Sequence, residues 1–435
     1  MSRFLLACWP FAGHISPFMS LALALEEGGH DVAFYTGESA RETVESAGFT
    51  VFPFERLSEE QAVKSMVSMD TAAPSGRPEA GNVLQIFRDW LVETIPGQVD
   101  DLQPIVADWR PDVIVTETAM WGPILVLSEA GQTPVAILST LLGCLVPGAD
   151  APPAGLGLAP PRSFGARLLA RSINSATELA GRRLRGRVNE IRAAYGLPPL
   201  TMSINRYTGT LPLYMIGSLP ELDYGRQDLP ASVQYLGPMT WHPPSTGSDP
   251  DWLAALPTDR PWVHVTESTL SFGDQFVLRA GAQGLAGLPM EVILTSGRQR
   301  SIADLDLGEL APNVHAADWI NHDTLMPRCA VMVTTGGAGT MMSALRAGVP
   351  LVIVPTTWDK PDNARRVVEA GVGVRLPAKR CTPAGLRAAV GEVLSKPRYR
   401  DNALRLAEKL NAAPGPARAV ELLEELVPET VAARG

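Results

Sequence analysis

Two short segments of the 435-residue chain carry residue types suited to chemistry. The first is Gly13-His14, in a turn after the apolar run Phe4 to Trp9. An imidazole with its ordinary pKa of ~6.5 exchanges a proton near neutral pH, so a turn His is a candidate general base. An acidic partner on its other ring nitrogen would fix the tautomer and stabilise the imidazolium. By itself a lone turn His is more simply a hydrogen-bonded structural residue. The second segment, Thr334 to Thr340, reads TTGGAGT between a β-rich run and a helix. Its glycines let a ligand approach the backbone closely, and the helix start offers free N–H groups and a positive dipole end. A pyrophosphate suits that environment, although a Gly-rich turn can also serve packing alone.

Two phosphate motifs can be tested against this loop. A P-loop ends in Gly-Lys-Ser/Thr, and no such tripeptide stands here. The dinucleotide fingerprint G-x-G-x-x-G finds Gly337 and Gly339, but Met342 fills its third place. Asp359 does follow at roughly the ~20 residues expected of a ribose-binding acid, which keeps an NAD-type reading open. Metal-ligand spacings such as H-E-x-x-H do not occur.

The elements that must position these segments alternate in α/β rhythm. Phe4 to Trp9 reads as a buried parallel strand, followed by a turn over Pro10 to Pro17 and a helix from Phe18 to Glu27. Asp31 to Thr36, Asp112 to Val115 and Val135 to Leu138 continue the sheet, with a helix at Gly122 to Ala130. Gly143 to Pro161 is a long Pro/Gly/Ala-rich loop, and Phe164 to Tyr195 a long helix. WHPPSTGSDP, residues 241–250, reads as an interdomain linker. The rhythm then restarts: strands at Val263 to Thr266, Glu291 to Thr295, Ala330 to Val333 and Leu351 to Val354, with a helix at Thr340 to Ala347. This pattern predicts two doubly wound domains facing across a cleft, with both chemical segments at strand carboxyl ends. The boundaries are 1–240, a linker at 241–250, and 251–416, with a last helix at 417–435.

Composition narrows the partners. A net charge of -9 argues against nucleic acid. The Arg182, Arg183, Arg185 and Arg187 series reads as a solvated helix face. Cys8, Cys144, Cys329 and Cys381 are scattered without a CxxC pair, which fits a reducing cytoplasm and neither a disulfide framework nor a zinc site. The opening MSRFLLACWPFAGH lacks a clear cleavage site, and the uncharged stretch Gly131 to Ala149 is broken by Pro134, Gly143 and Pro147. No membrane span is expected.

The chain resembles the family 1 glycosyltransferases of GT-B fold, in particular bacterial enzymes that decorate natural products. AGHISP, GHDVAFYT, PDVIVTE, YLGPM, DWINHDTLMP and TTGGAGTMMSALRAGVPLVIVPTTWDKPDNARRV carry the resemblance. It implies that His14 is the catalytic base, with Glu117 standing where the family has an Asp that orients it. Donor contacts are implied at Thr269, Trp319 and His322, in the loop Thr335, Gly336, Gly337, Gly339 and Thr340, and at Asp359 and Lys360. The resemblance implies that Trp319 stacks on the base and that Asp359 holds sugar hydroxyls. Departures from the family pattern are Thr335 for a phosphate-binding His, Ser343 for a ribose-binding Glu, and Lys360 for Gln. His322 stands for Gln, Asn321 for Pro and Ser268 for Gly. Asp304-Leu305-Asp306 has the DxD form that binds metal in sugar transferases of another fold, but lies in a polar stretch that reads as solvated. No metal ligand is assigned.

The acceptor pocket is expected in the N-terminal lobe, lined by Phe11, Met120, Trp121, Leu141 and Leu142 and covered by the 143–161 loop. His30 reads as structural, and His264 and His315 have no acidic partner identifiable in the sequence. The reading is an inverting transfer from a UDP- or TDP-sugar co-substrate, without a bound cofactor, to a hydroxyl of an apolar small molecule. A non-catalytic homologue that binds a nucleotide or assists a partner enzyme is the alternative, motivated by Thr335 and Ser343. An NAD-dependent oxidoreductase, motivated by Gly337, Gly339 and Asp359, is the third.

Overall fold

The computed structural model describes residues 1–71, 80–243, 249–267, 275–297 and 301–428. Thr269 and residues 244–248 of the expected linker lie outside the described residues.

Buried aliphatic runs pair into two all-parallel sheets. The first contains β1 (Arg3–Ala7), β2 (Asp31–Thr36), β3 (Thr50–Pro53), β4 (Val113–Thr116), β5 (Val135–Ser139), β6 (Leu213–Ile216) and β7 (Val233–Tyr235). Their order is β3-β2-β1-β4-β5-β6-β7. The second contains β8 (Trp262–Thr266), β9 (Glu291–Thr295), β10 (Val314–Ala317), β11 (Cys329–Thr334), β12 (Leu351–Ile353) and β13 (Gly373–Arg375). Their order is β10-β9-β8-β11-β12-β13. Parallel strands must be covered on both faces, which is why β1, β4 and β5 read as near-continuous apolar runs without alternation.

In each sheet the strand order reverses once, between β1 and β4 and between β8 and β11. Ligands of open α/β sheets bind outside strand carboxyl ends at such reversals. His14 and Glu117 follow β1 and β4, and Thr335 follows β11.

Helix α1 spans Ala12–Glu27, so Gly13 and His14 occupy its first turn rather than a preceding loop. Ile15, Phe18, Met19, Ala22 and Leu25 form its buried stripe, and Pro17 is accommodated inside the helix. The expected start at Phe18 was late because Pro17 reads as a stop, whereas a Pro in the opening turns removes few intrahelical hydrogen bonds. The long helix α2 runs over Phe164–Ala194. Helix α3 (Ala338–Arg346) follows the Gly-rich loop, and α4 (Lys360–Glu369) follows Asp359. The last described helix, α5 (Pro416–Glu424), puts Ala419, Leu422 and Leu423 into the core with Phe18 and Leu21 of α1. His30 Nε2 lies 3.0 Å from Glu424 Oε1 and Nδ1 accepts from Ser2 N, so this His ties α5 to the first lobe.

The 143–161 loop crosses to the second lobe. The Asp362 carboxylate of α4 accepts the Gly155 and Gly157 backbone N–H groups at 2.6 and 2.7 Å. Arg375 Nη1 donates to Gly157 O at 3.2 Å. The segment expected to cover Phe11 and its neighbours is therefore docked on α4. Among the described residues no helix is long and apolar enough to cross a membrane.

Candidate active site

The carboxyl ends of β1 and β4 bring an acid and a base together. Glu117 is fully buried and uses both oxygens. Oε1 accepts the Trp9 backbone N–H at 2.7 Å, and Oε2 lies 2.6 Å from His14 Nδ1. The longer Glu side chain thus reaches the imidazole while its other oxygen is fixed by backbone. The Trp9 indole N–H donates to Ala119 O at 3.0 Å, which holds the post-β4 turn against β1. The His14 side chain remains 16% exposed, so its ring is reachable from the cleft. Phe11 packs edge-on to it with ring centroids 5.4 Å apart.

Across the cleft, β11 ends in the Gly-rich turn. Gly336 has φ +100°, a left-handed conformation that L side chains avoid, and a Cβ there would also meet Ile353. Gly339 is different: a Cβ would meet nothing of the chain within 4 Å. The fold does not require glycine at Gly339, whereas a ligand pressed against the helix start would. Gly337 caps α3 through its backbone without a side-chain partner, leaving the first N–H groups of the helix for another acceptor. The Thr335 hydroxyl is buried with no hydrogen-bond partner. A buried orphan donor is uncommon and fits a site completed by a polar ligand. Thr340 is half-buried on α3. Ser343 donates to Gly339 O, and Met342, in the third glycine place of the dinucleotide fingerprint, is a core residue.

Asp359 precedes α4, and burial pushes its carboxyl above the usual range. Its Oδ2 accepts from Asn363 Nδ2 at 2.7 Å, which opposes that rise, as do the charges of Lys360 and Arg366. Lys360 is buried, with Nζ 3.1 Å from Thr356 Oγ1. Trp319 is half-buried near the end of β10. His322 opens a short helix whose Asn321 cap accepts from Asp323 N at 2.9 Å. Burial, and then the neighbouring His242, push His322 down to about 4, and its ring lies edge-on to fully buried His264 at 5.7 Å. A neutral imidazole offers one donor and one acceptor, whereas the amide it replaces offers two N–H donors and a carbonyl acceptor.

Comparisons with known proteins place the whole chain in a family. The model of the erythromycin biosynthesis protein CIII-like C-terminal domain matches residues 282–426. The 4'-demethylrebeccamycin synthase of Lentzea aerocolonigenes is 32% identical over 428 residues, covering 98% of this chain and 100% of that protein. The chain belongs to the bacterial natural-product branch of the family 1 glycosyltransferases. Solved structures share the fold. The glycosyltransferase of kitacinnamycin has a TM-score of 0.73 at 20% identity, covering 98% of this chain and 99% of that one. The spinosyn rhamnosyltransferase complexed with thymidine diphosphate has a TM-score of 0.71 at 20% identity, covering 97% and 100%. The fold is GT-B, and the protein is a glycosyltransferase. The NAD-dependent reading falls with that assignment.

In this glycosyltransferase the residues expected around the acceptor divide. Phe11, Met120 and Trp121 are buried in one cluster with Trp9 and Trp90. Leu141 is half-buried. Leu142 instead joins the core of the second lobe, with Leu222, Met341 and Ile353. The chain crosses between lobes at that point, a fact that a short apolar run does not reveal. His315 does have an acid partner, Glu291, at 2.9 Å, on the far strands of the second sheet. Asp304 and Asp306 are exposed, and among the described residues no three His, Cys, Asp or Glu side chains gather to hold a metal.

Two residues beside the site were assigned no role from the sequence. Trp358, immediately before Asp359, has φ +60°. Its ring packs edge-on against Phe87 and Trp90 of the first lobe, at 5.8 and 5.3 Å. A bulky residue in that backbone region is strained, and packing across the lobes holds it there. Asn363 follows Asp359 at helical i, i+4 spacing, a signal that was available in the sequence.

Proposed function

We propose that this glycosyltransferase moves a sugar from a UDP- or TDP-linked donor to a hydroxyl of an apolar small molecule, with inversion at the anomeric carbon. The 2.6 Å contact between His14 Nδ1 and Glu117 Oε2 carries the reading. With Nδ1–H donating to Glu117, the Nε2 lone pair is free to take a proton. The acceptor hydroxyl gives that proton to Nε2 as its oxygen bonds to the anomeric carbon. The bond from that carbon to the diphosphate oxygen breaks, and the nucleoside diphosphate leaves with the bonding pair. The imidazolium is then stabilised by Glu117, as in other His–carboxylate pairs.

On the donor side, the start of α3, the orphan hydroxyl of Thr335 and the open space at Gly339 support diphosphate binding. The helix start would stabilise the charge that develops on the leaving group. Asp359 would accept sugar hydroxyls, Lys360 would add positive charge nearby, and Trp319 and His322 would face the base. Thymidine diphosphate in the spinosyn rhamnosyltransferase structure supports the TDP option. The cluster of Phe11, Met120 and Trp121 supports an apolar acceptor.

A thermal-shift screen with UDP, TDP, GDP, ADP and their sugar conjugates tests the donor side. Ligand at ~100 times its dissociation constant adds roughly 2.7 kcal/mol of stability. UDP or TDP stabilises the protein on this reading, and the product sugar has the anomeric configuration opposite to the donor's by NMR. Stabilisation by no sugar nucleotide, or retention of configuration, refutes it.

A further inference from the structure

The two halves of the donor site, the Gly-rich loop and Asp359, come from different connections of the second sheet, yet one side chain joins them. Asn363 is completely buried. Its Nδ2 donates to Gly336 O at 2.9 Å and to Asp359 Oδ2 at 2.7 Å. Its Oδ1 faces Arg366 Nη1 at 3.4 Å. The amide orientation is fixed by chemistry. Gly336 O and the carboxylate only accept, and a guanidinium only donates, so the nitrogen must face the first two and the oxygen the third.

The chain of contacts continues into the other lobe. Arg366 is buried, its Nη2 donates to Asp223 Oδ1 at 3.1 Å, and its guanidinium lies over the Tyr224 ring at 5.3 Å. Asp223 follows β6 in the first lobe and is itself fixed. Its Oδ2 accepts from Cys144 N at 2.9 Å and from Tyr235 Oη at 2.6 Å. A Cβ on Gly143 would collide with both Arg366 and Asp223, so the backbone is closed tightly around the pair.

We propose that Asn363 is a positioning residue for the donor. It holds the pyrophosphate loop and the sugar-facing carboxylate in one register, and it is oriented from the acceptor lobe through Arg366 and Asp223. The inference rests on the donor contacts proposed above. Its consequence is that donor affinity depends on a residue of the opposite lobe that touches no donor atom. Both N–H groups of the amide are in use, so no apolar or acidic side chain at position 363 can replace it. Loss of the amide leaves Gly336 O without its partner and removes a charge-assisted hydrogen bond from Asp359, while Lys360 and Arg366 remain as the charges facing that carboxylate.

The test is isothermal calorimetry of wild type, Asn363→Ala, Asp223→Asn and the double variant, with TDP, UDP and their sugar conjugates, from pH 5 to 8. Asn363→Ala is expected to weaken the nucleoside diphosphate about tenfold and the sugar conjugate by about a further tenfold, one hydrogen bond lost on each side. The acid limb of sugar-conjugate binding moves to higher pH, because Asp359 loses an N–H that favours its ionised form. Asp223→Asn keeps the side-chain volume and is expected to weaken the sugar conjugate about threefold or more, with the double variant no weaker than Asn363→Ala alone. Should Asn363→Ala fail to fold, Asp223→Asn reads the same link by itself. Unchanged affinity and acid limb in Asn363→Ala, or wild-type donor affinity in Asp223→Asn, overturns the proposal. Failure of wild type to bind any sugar nucleotide would instead strike the donor reading.

Discussion

Replacing Glu117 by Gln changes one atom's hydrogen-bonding sense and little else. The amide oxygen can still accept the Trp9 N–H that Oε1 holds at 2.7 Å. The amide nitrogen would then face His14 Nδ1, now at 2.6 Å from a carboxylate oxygen. That nitrogen donates, so Nδ1 must accept and the imidazole proton moves to Nε2. The base then has no lone pair for the acceptor hydroxyl. A positioned general base contributes about 10²–10⁴ in rate, and a hydrogen bond to a charged group about 1.5–3 kcal/mol, or roughly 10–150-fold. The two figures describe one loss, so kcat should fall by about 10²–10³. Donor KM should stay within about twofold, since Glu117 lies in the first lobe, away from the donor contacts proposed in the second. His14→Ala should fall similarly, and the double variant no further, as residues acting as a unit are not additive. Steady-state release of nucleoside diphosphate under saturating donor measures kcat, and the melting temperature reports folding. A Glu117→Gln enzyme with kcat within about threefold of wild type and an unchanged melting temperature refutes the dyad.

Three further outcomes are expected. Thr335→Val should raise donor KM about 3- to 30-fold while leaving the melting temperature equal or higher, because it removes a buried hydroxyl that lacks a partner; an unchanged KM removes Thr335 from the donor site. Acid should destabilise the fold through His322, whose pKa drops from about 6.5 unfolded to about 4 folded. The unfolded chain binds the extra proton between those values, so this stability is complete above pH ~6.5 and declines toward pH 4 by at most about 3 kcal/mol. His322→Gln should flatten that decline in urea titrations, and an unchanged slope would assign the acid sensitivity elsewhere. Trp358→Ala should cost about 2 kcal/mol, roughly half the cost for a fully buried aromatic, since the ring is half-buried between lobes; a loss below about 0.5 kcal/mol in denaturant titration would show that the ring adds nothing to the lobe contact.

The parallel strands were legible because burial on both faces leaves unbroken apolar runs such as FLLA and VAILS. The position of His14 was legible, but its helix was not, because Pro17 masks the start of α1. The Gly-rich loop was legible from Gly336, Gly337 and Gly339, and at Gly336 a φ of +100° restricts the residue type directly. What stayed hidden depends on contacts between lobes. Nothing local to Leu142 says that it joins the second core, and nothing local to Trp358 says that Trp90 holds it. The Asp223–Arg366 pair joins residues 143 positions apart, a separation that no periodicity reports.

Sugar transfer is proposed to run through His14 and Glu117. Its most direct test is acceptor-dependent release of nucleoside diphosphate, followed with mass analysis of the acceptor, for wild type and His14→Ala under saturating UDP- or TDP-sugar. Wild type is expected to release one nucleoside diphosphate per glycosylated acceptor, and His14→Ala to turn over about 10²–10³ more slowly with donor binding intact. Transfer by His14→Ala at near wild-type rate would contradict the proposal.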